Sequence, residues 1–414
     1  MEDIYITEIR INEVRNIKNF RIPFGQNGKY NLIITGKNGS GKTSLLRELK
    51  MYLNSVTNGN LELYHDNRNL LESLRHRLNP QEGTIENNPK SQRDLVNQMR
   101  GLEKWLKQFG GTKIDFNNSL EISEKFRKGD FIVAFFEAKR NIQFNIPKGI
   151  NKINTKHVYQ IDDRAGQEFI QYIVNLKADR SFAKDDNDIE TVHKIDKWFL
   201  DFESNLFRLF DDESLKLQFD RKSYNFNIIE GSKEPFNLNQ LSDGYSAILN
   251  IVTELIMRME EHKSKSYDIQ GVVLVDEIET HLHIELQKRV LPFLTSFFPN
   301  IQFIVTTHSP FVISSIEDAI ICDLEKRIVT TDLSGYSYDT LIESYFNSDK
   351  YSSELKRKIT EYEILKSKSY LSEFDKDRLH QLKTFFNEIP KFLSDELAVK
   401  LQQIRLKDIK KKEQ

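Results

Sequence analysis

The chain has 414 residues, with 60 Lys and Arg against 62 Asp and Glu, and a formal net charge of -2. A chain of this length buries most of its unfolded surface without covalent cross-links. The balanced charge, with 28 Phe and 15 Tyr, excludes a disordered protein. A single cysteine, Cys322, excludes a disulfide framework and a cysteine-ligated zinc site.

Membrane insertion and secretion are not expected. No stretch approaches the roughly 18 consecutive apolar residues that suggest a membrane-spanning helix. The N-terminus, Met1 to Ile4, is acidic and lacks the basic region and apolar run of a signal peptide. A cytoplasmic location is therefore expected, and because the net charge is near zero, any nucleic-acid contact would need a local basic patch.

The first part of the chain predicts strands followed by a helix. Apolar residues alternate between Ile4 and Phe24, which predicts two strands with a turn near residues 16–18. A short apolar strand, 31–35, runs into a Gly-rich turn and a helix from Ser44 to Leu53. The following segment, 54–130, is rich in Asn, Arg, Lys and Glu and is predicted to be a helical insertion.

The middle of the chain predicts a sheet covered by helices. The unbroken apolar run Phe131 to Glu137 predicts a strand that is buried on both faces. A helical lobe is predicted over 160–245, with a hairpin near 215–229. Two further apolar strands, 271–275 and 301–306, flank a helix, which predicts an α/β fold with a mainly parallel core sheet. Residues 340–414 are predicted to be a charged helical tail.

Residues Gly36 to Thr43 match the phosphate-loop pattern G-x-x-x-x-G-K-[ST] between a predicted strand and a predicted helix. In such a loop the main-chain N–H groups surround a phosphate, and the positive end of the helix dipole favours the anion. Lys42 is expected to reach the β- and γ-phosphates, and Thr43 to bind Mg²⁺. The residues expected to bind nucleotide are Asn38, Gly39, Ser40, Gly41, Lys42, Thr43 and Ser44.

Two carboxylates follow the apolar run Val272 to Val275. Asp276 at the strand end is expected to hold Mg²⁺ together with Thr43. Glu277 is then a candidate base for the attacking water. His308 follows the last apolar strand and is a candidate for positioning that water near the γ-phosphate.

A second helix start offers an anion site at Leu241 to Tyr245. Ser242 is predicted to be the N-cap of the helix, and Gly244 permits a close approach of the main chain.

His281 and His283 suggest a metal site, but the sequence shows no third ligand cluster beyond nearby carboxylates. We interpret these two histidines as part of a packed and capped segment.

The order of these motifs resembles that of the ATP-binding-cassette (ABC) class of ATPases. More narrowly, Asp276 to His283 and Thr307 to Pro310 are similar to the ABC-type ATPases of the OLD (overcoming-lysogenization-defect) and Septu anti-phage group, which are AAA-family proteins related to SMC and RecF heads. The resemblance covers about residues 4–325. It implies an ABC-type ATPase head over residues 1–339, with an antiparallel β-subdomain and a helical lobe beside the core sheet.

The resemblance also implies a head-to-head homodimer around two ATP molecules with Mg²⁺. In that dimer Ser242, Asp243 and Gly244 act in trans on the partner's nucleotide. Glu277 and His308 are implied as the catalytic base and the switch. The glutamine loop of the class is not evident after the second core strand, and Arg140 and Gln143 are its candidate substitutes.

The motifs do not by themselves show which biological process the ATPase serves. One cysteine excludes a zinc-bound HNH nuclease, and no TOPRIM-like acidic pattern follows residue 325. We therefore expect an ATPase that controls a separate effector, such as an HNH or TOPRIM nuclease, through residues 340–414. The alternatives are a RecF- or SMC-like DNA-repair ATPase, a transporter subunit, and a nucleotide sensor in which hydrolysis is incidental.

Overall fold

The computed structural model describes residues 3–25, 28–78, 89–119, 121–140, 142–153, 155–231, 234–260, 267–331, 333, 335, 353–368 and 370–388. The chain forms two compact units, Met1–Tyr336 and Ser337–Gln414. Within the predicted helical insertion, residues 79–88 and 120 lie outside the described residues, and within the predicted helical tail so do residues 340–352, 369 and 389–414.

The strands in chain order are β1 (Ile6–Val14), β2 (Ile17–Pro23), β3 (Asn31–Thr35), β4 (Thr112–Phe116), β5 (Phe131–Phe136), β6 (Lys216–Asp220), β7 (Asn225–Ile229), β8 (Phe236–Asn237), β9 (Gln270–Val275), β10 (Ile301–Thr306), β11 (Ala319–Asp323) and β12 (Ile328–Thr331). The helices are α1 (Lys42–Thr57), α2 (Leu61–Leu78), α3 (Pro89–Leu106), α4 (Ile122–Lys128), α5 (Phe169–Asp185), α6 (Ile189–Phe210), α7 (Asp243–Met259), α8 (Ile284–Phe297), α9 (Pro310–Ile313), α10 (Ser353–Ser367) and α11 (Glu373–Glu388).

The core sheet has six strands in the order β12-β11-β3-β10-β9-β5. All neighbours pair in parallel except β12, which is antiparallel to β11. Strands β3, β5 and β10 are buried at every residue, because helices cover both faces of a parallel sheet. The parallel arrangement brings the carboxyl ends of β3, β10 and β9 to one edge.

Two antiparallel sheets complete the first unit. One has the order β2-β1-β4 and the other β6-β7-β8. Together with the core sheet and the helices α5, α6 and α7, they confirm the expected fold class, in which a mainly parallel sheet is joined by antiparallel β structure and a helical lobe.

Two differences from the sequence-based expectation concern β strands. The segment 54–130, expected to be helical, contains β4, which pairs with β1. Strand β11 pairs with β3 and was not expected. Both are five-residue strands whose partners lie about 100 or about 290 residues earlier in the chain, so local periodicity does not reveal them.

The helical lobe includes α5 and α6. The longest helix among the described residues, α6, has 22 residues and follows α5 after a short turn. An ion pair between Arg258 and Glu254 lies in α7 with both side chains 1% exposed. Arg258 also donates to the carbonyl oxygen of Val133 in β5, which ties α7 to the core sheet.

The second unit contains a pair of helices, α10 and α11. Their shared core consists of Ile359, Tyr362, Leu365, Leu382 and Phe386. Across the pair, Arg378 makes a two-bond ion pair with Glu361 at 2.7 and 3.0 Å. Among the described helices, none is long and apolar enough to cross a membrane.

Candidate functional site

The turn between β3 and α1 forms a loop at the start of a helix. Gly41 occupies the N-cap of α1 with φ of 103°, a left-handed conformation that favours glycine. No side chain in the described part of the chain caps this end, so the first N–H groups of α1 are available to an anion. The half-buried Ser40 has a hydroxyl oxygen that is shielded from solvent and has no partner among the described residues.

Lys42 lies inside the loop. Its side chain is buried, and Nζ donates to the carbonyl oxygens of Gly36 at 2.9 Å and Lys37 at 3.2 Å. Burial lowers the pKa of Lys42, while the negative charges of Glu277 and Glu279 act in the opposite direction. The ammonium group is therefore already held within the loop, where a bound phosphate would meet it.

Asp276 joins the ends of three elements. The Oδ1 atom of this buried carboxylate accepts hydrogen bonds from Thr43 Oγ1 at 3.2 Å and Thr306 Oγ1 at 2.6 Å. Thr43 lies in the first turn of α1 and Thr306 ends β10, so the sheet edge brings together residues that are 233 and 30 positions from Asp276. A carboxylate beside hydroxyl oxygens is the hard ligand set that Mg²⁺ prefers, and these residues fit that ion.

Glu277 has an unusual backbone conformation. Its φ of 44° is left-handed, which is uncommon for a residue with a side chain and costs about 1–3 kcal/mol. Its N–H donates to Thr306 Oγ1 at 2.7 Å, and Thr280 Oγ1 donates to its Oε2 at 3.4 Å. The carboxylate is only half-buried, so it can contact a water molecule.

His308 lies at the start of the loop after β10. Its main-chain N–H donates to Glu279 Oε1 at 2.6 Å. Burial and the positive charge of Lys42 lower the pKa of His308, against the opposing charges of three carboxylates. This shift favours the neutral imidazole, in which one ring nitrogen is able to accept a hydrogen bond.

The segment with Ser242, Asp243 and Gly244 opens α7. Ser242 occupies the N-cap with extended backbone, as expected, but its side chain makes no capping hydrogen bond. Gly244 is buried because the start of α7 packs on the main chain of His281, where a Cβ atom would lie 2.9 Å from the carbonyl oxygen. This contact joins the helix start to the segment that follows β9.

We expect Gly244→Ala to lower the free energy of unfolding by about 1–3 kcal/mol, because the added methyl group meets main-chain atoms that have little room to move. Urea unfolding measures the change. Gly101→Ala is the matched control, since its methyl group meets open space within α3 and should stabilise the protein by up to about 1 kcal/mol. Equal stabilities for the two variants would contradict this packing.

The two candidates for the glutamine loop lie in different surroundings. Arg140 is buried, and its guanidinium donates to the carbonyl oxygens of Asp276, Glu277 and Ile278. Gln143 is exposed in the irregular segment that follows β5. Their role toward nucleotide stays a prediction.

The remaining residues expected to bind nucleotide also lie at this edge. Asn38 and Gly39 are exposed at the tip of the loop, and Ser44 is half-buried in the first turn of α1.

The histidines His281 and His283 are exposed, and no group of three His, Cys, Asp or Glu among the described residues is arranged to hold a metal.

Thr306 is the site residue that the sequence analysis missed. Its hydroxyl donates to Asp276 and accepts from the N–H of Glu277, so it links both carboxylate residues. A signal existed, because Thr306 is the last residue of an apolar strand predicted to lie parallel to the strand before Asp276. The carboxyl ends of neighbouring parallel strands meet at one edge.

The chain is similar in sequence to several known proteins. Residues 133–314 match the family described as "AAA domain, putative AbiEii toxin, Type IV TA system". The Septu protein PtuA of Bacillus mycoides is 35% identical over 117 residues, 26% of this chain and 16% of that protein. The Retron Ec83 probable ATPase of Escherichia coli is 38% identical over 93 residues, 22% of this chain and 17% of that protein. These matches confirm the predicted similarity to ATPases of the Septu anti-phage group.

The chain spans less than a fifth of the length of these two curated relatives in the matched segments. Among solved structures, the SMC head domain from Thermotoga maritima is similar with a TM-score of 0.35 and 13% identity, covering 79% of this chain and 97% of that one.

Proposed function

We propose that this protein binds ATP with Mg²⁺, hydrolyses it in a head-to-head dimer, and thereby controls a separate effector protein in anti-phage defence. The observation that carries the ATPase part is the meeting of Lys42, Thr43, Asp276, Glu277 and His308 at one edge of the core sheet. These residues come from three separate stretches of the chain, and each has the chemistry that phosphoryl transfer needs.

Different residues of the chain would bind the phosphates, hold the metal ion and activate the attacking water. The loop amides and Lys42 would bind the phosphates, while Thr43 and Asp276 would hold the metal ion. Mg²⁺, when bound, would neutralise charge on the phosphates. Glu277 would accept a proton from the attacking water or orient it, and His308 would help to position that water.

In the proposed dimer, the start of α7 in one chain would complete the nucleotide site of the other chain. The Ser242 side chain is not used as a cap, and Asp243 beside it is exposed. The N–H groups at this second helix start can therefore meet the γ-phosphate held by a partner chain. Hydrolysis would then be slow in a monomer, because each site is completed only in trans.

The second unit is our candidate for docking the effector. Tyr370 and Phe374 are 85% and 80% exposed near the connection between α10 and α11. Large exposed aromatic side chains of this kind are typical of protein interfaces. The effector would be a nuclease such as an HNH or TOPRIM protein, since the sequence shows no second catalytic pattern.

The test is affinity purification of tagged Glu277→Gln protein from its own operon in ATP, with the retained molecules identified by mass spectrometry. We expect a stoichiometric nuclease or toxin. The double variant Tyr370→Ser, Phe374→Ser should lose that partner and still bind ATP. Leu200→Ser is the control, because Leu200 is an exposed apolar side chain, 64% accessible, in the first unit.

Two results would contradict the proposal. An ATPase that retains no protein and brings down DNA would favour a RecF-like role in DNA repair. Retention of the same partner by the double variant and by the control would remove the docking role of the second unit.

A further inference from the structure

The guanidinium group of Arg140 is buried beside the catalytic turn. Arg140 follows the edge strand β5, and its side chain is 4% exposed. Burial lowers the pKa of Arg140 to about 10, so the group is still charged at neutral pH. A buried charge of this kind is retained only where it is well hydrogen-bonded.

The bonds of Arg140 go to main-chain atoms. Nη1 donates to the carbonyl oxygen of Asp276 at 2.6 Å, and Nη2 donates to those of Glu277 at 3.1 Å and Ile278 at 3.0 Å. Nη1 also donates to the carbonyl oxygen of Glu137 at 3.1 Å. The guanidinium thus spans three consecutive carbonyl groups of the turn after β9.

The strained turn 276–278 is held by hydrogen bonds from neighbouring elements. Glu277 is in the left-handed conformation, and such strained residues persist only where the surroundings hold them. On one side, Asp276 N–H donates to Phe136 O, and Glu277 N–H donates to Thr306 Oγ1. On the other side, Arg140 supplies donors to the carbonyl groups.

We propose that Arg140 is a positioning residue for ATP hydrolysis: it holds the turn 276–278 so that the Asp276 and Glu277 side chains face the phosphate loop, and it does not itself bind nucleotide. This inference rests on the proposed ATPase function. Lysine is a poor substitute, because one ammonium group does not reproduce the planar pair of terminal nitrogens that contact neighbouring carbonyl groups.

The test compares kcat for ATP hydrolysis with the Kd for ATP in the full chain with Mg²⁺. We expect Arg140→Ala to lower kcat by about 100-fold, the effect of a displacement near 1 Å in a catalytic group. The Kd for ATP should stay within about threefold, because the phosphate loop is untouched. Arg140→Lys should recover part of the lost kcat, and this variant keeps the proposal testable if Arg140→Ala fails to fold.

Arg164→Ala is the matched control. Arg164 donates to the main-chain carbonyl oxygens of Phe135 and Asp163 at 3.3 and 3.2 Å, not to the turn 276–278. We expect its kcat to stay within about twofold of the wild-type value.

Several outcomes would overturn the inference. A tenfold loss of ATP affinity in Arg140→Ala at unchanged kcat would make Arg140 a nucleotide contact, and a lower melting temperature with unchanged kcat and Kd would make it purely structural. Absence of hydrolysis by the wild-type dimer would instead overturn the proposed function, and this inference with it.

Discussion

Lys42→Ala should bind ATP at least about 100-fold more weakly than the wild type. One buried ammonium group contacting phosphate supplies charge-assisted hydrogen bonds worth about 1.5–3 kcal/mol each, and about 2.8 kcal/mol corresponds to a hundredfold in Kd. Lys42 is already held in the loop by the carbonyl oxygens of Gly36 and Lys37, so little ordering is needed on binding. Titration with a fluorescent ATP analogue in Mg²⁺ measures the affinity.

The control for this variant is Lys37→Ala in the same loop. The Lys37 side chain is 75% exposed and pairs with Glu325 at 2.8 Å. An exposed ion pair contributes less than about 1 kcal/mol, so ATP affinity should change little. Equal affinities in Lys42→Ala and Lys37→Ala would mean that Lys42 does not contact the phosphates.

Glu277→Gln should bind ATP with wild-type affinity and hydrolyse it about 10²–10⁴-fold more slowly, the range expected when a general base is lost. The amide is close in size to the carboxylate, so the left-handed backbone observed at Glu277 should not change. Because nucleotide is bound but not consumed, the ATP-bound dimer should accumulate. Phosphate release measures the rate, and light scattering after gel filtration measures the mass.

Glu285→Gln serves as the control for removing a negative charge. Glu285 is 69% exposed in the first turn of α8 and pairs with Lys288 at 2.8 Å. The Glu285→Gln variant should hydrolyse ATP at the wild-type rate, and its dimer should dissociate as the wild-type dimer does. If Glu277→Gln also hydrolyses ATP at that rate, the base lies elsewhere.

Much of the fold is readable from local sequence. The apolar runs Leu32 to Ile34 and Val272 to Val275 form most of β3 and β9, because consecutive apolar residues suit a strand buried on both faces. The phosphate loop is similarly local, since its glycine, its lysine and the helix that follows are adjacent in the chain. These features need no information about distant residues.

Other features depend on which segments meet. Strand β4 is only five residues long and lies in a polar segment. Its stability comes from pairing with β1 about 100 residues earlier, so the local sequence does not predict it. The role of Thr306 likewise depends on the position of β10 beside β9, which the sequence indicates only through the expected parallel sheet. Short elements and single hydroxyl groups carry too little local signal to be assigned from the sequence.

The sequence by itself determined the motifs and their order and predicted the class of chemistry, because each motif is a short run whose expected role follows from residue type and spacing. Only the tertiary structure decided that Arg140 contacts the main chain of the turn 276–278, and that Gly244 packs on His281. Both depend on contacts between segments that are far apart in the chain, and the path of the backbone sets those contacts rather than the local pattern of side chains.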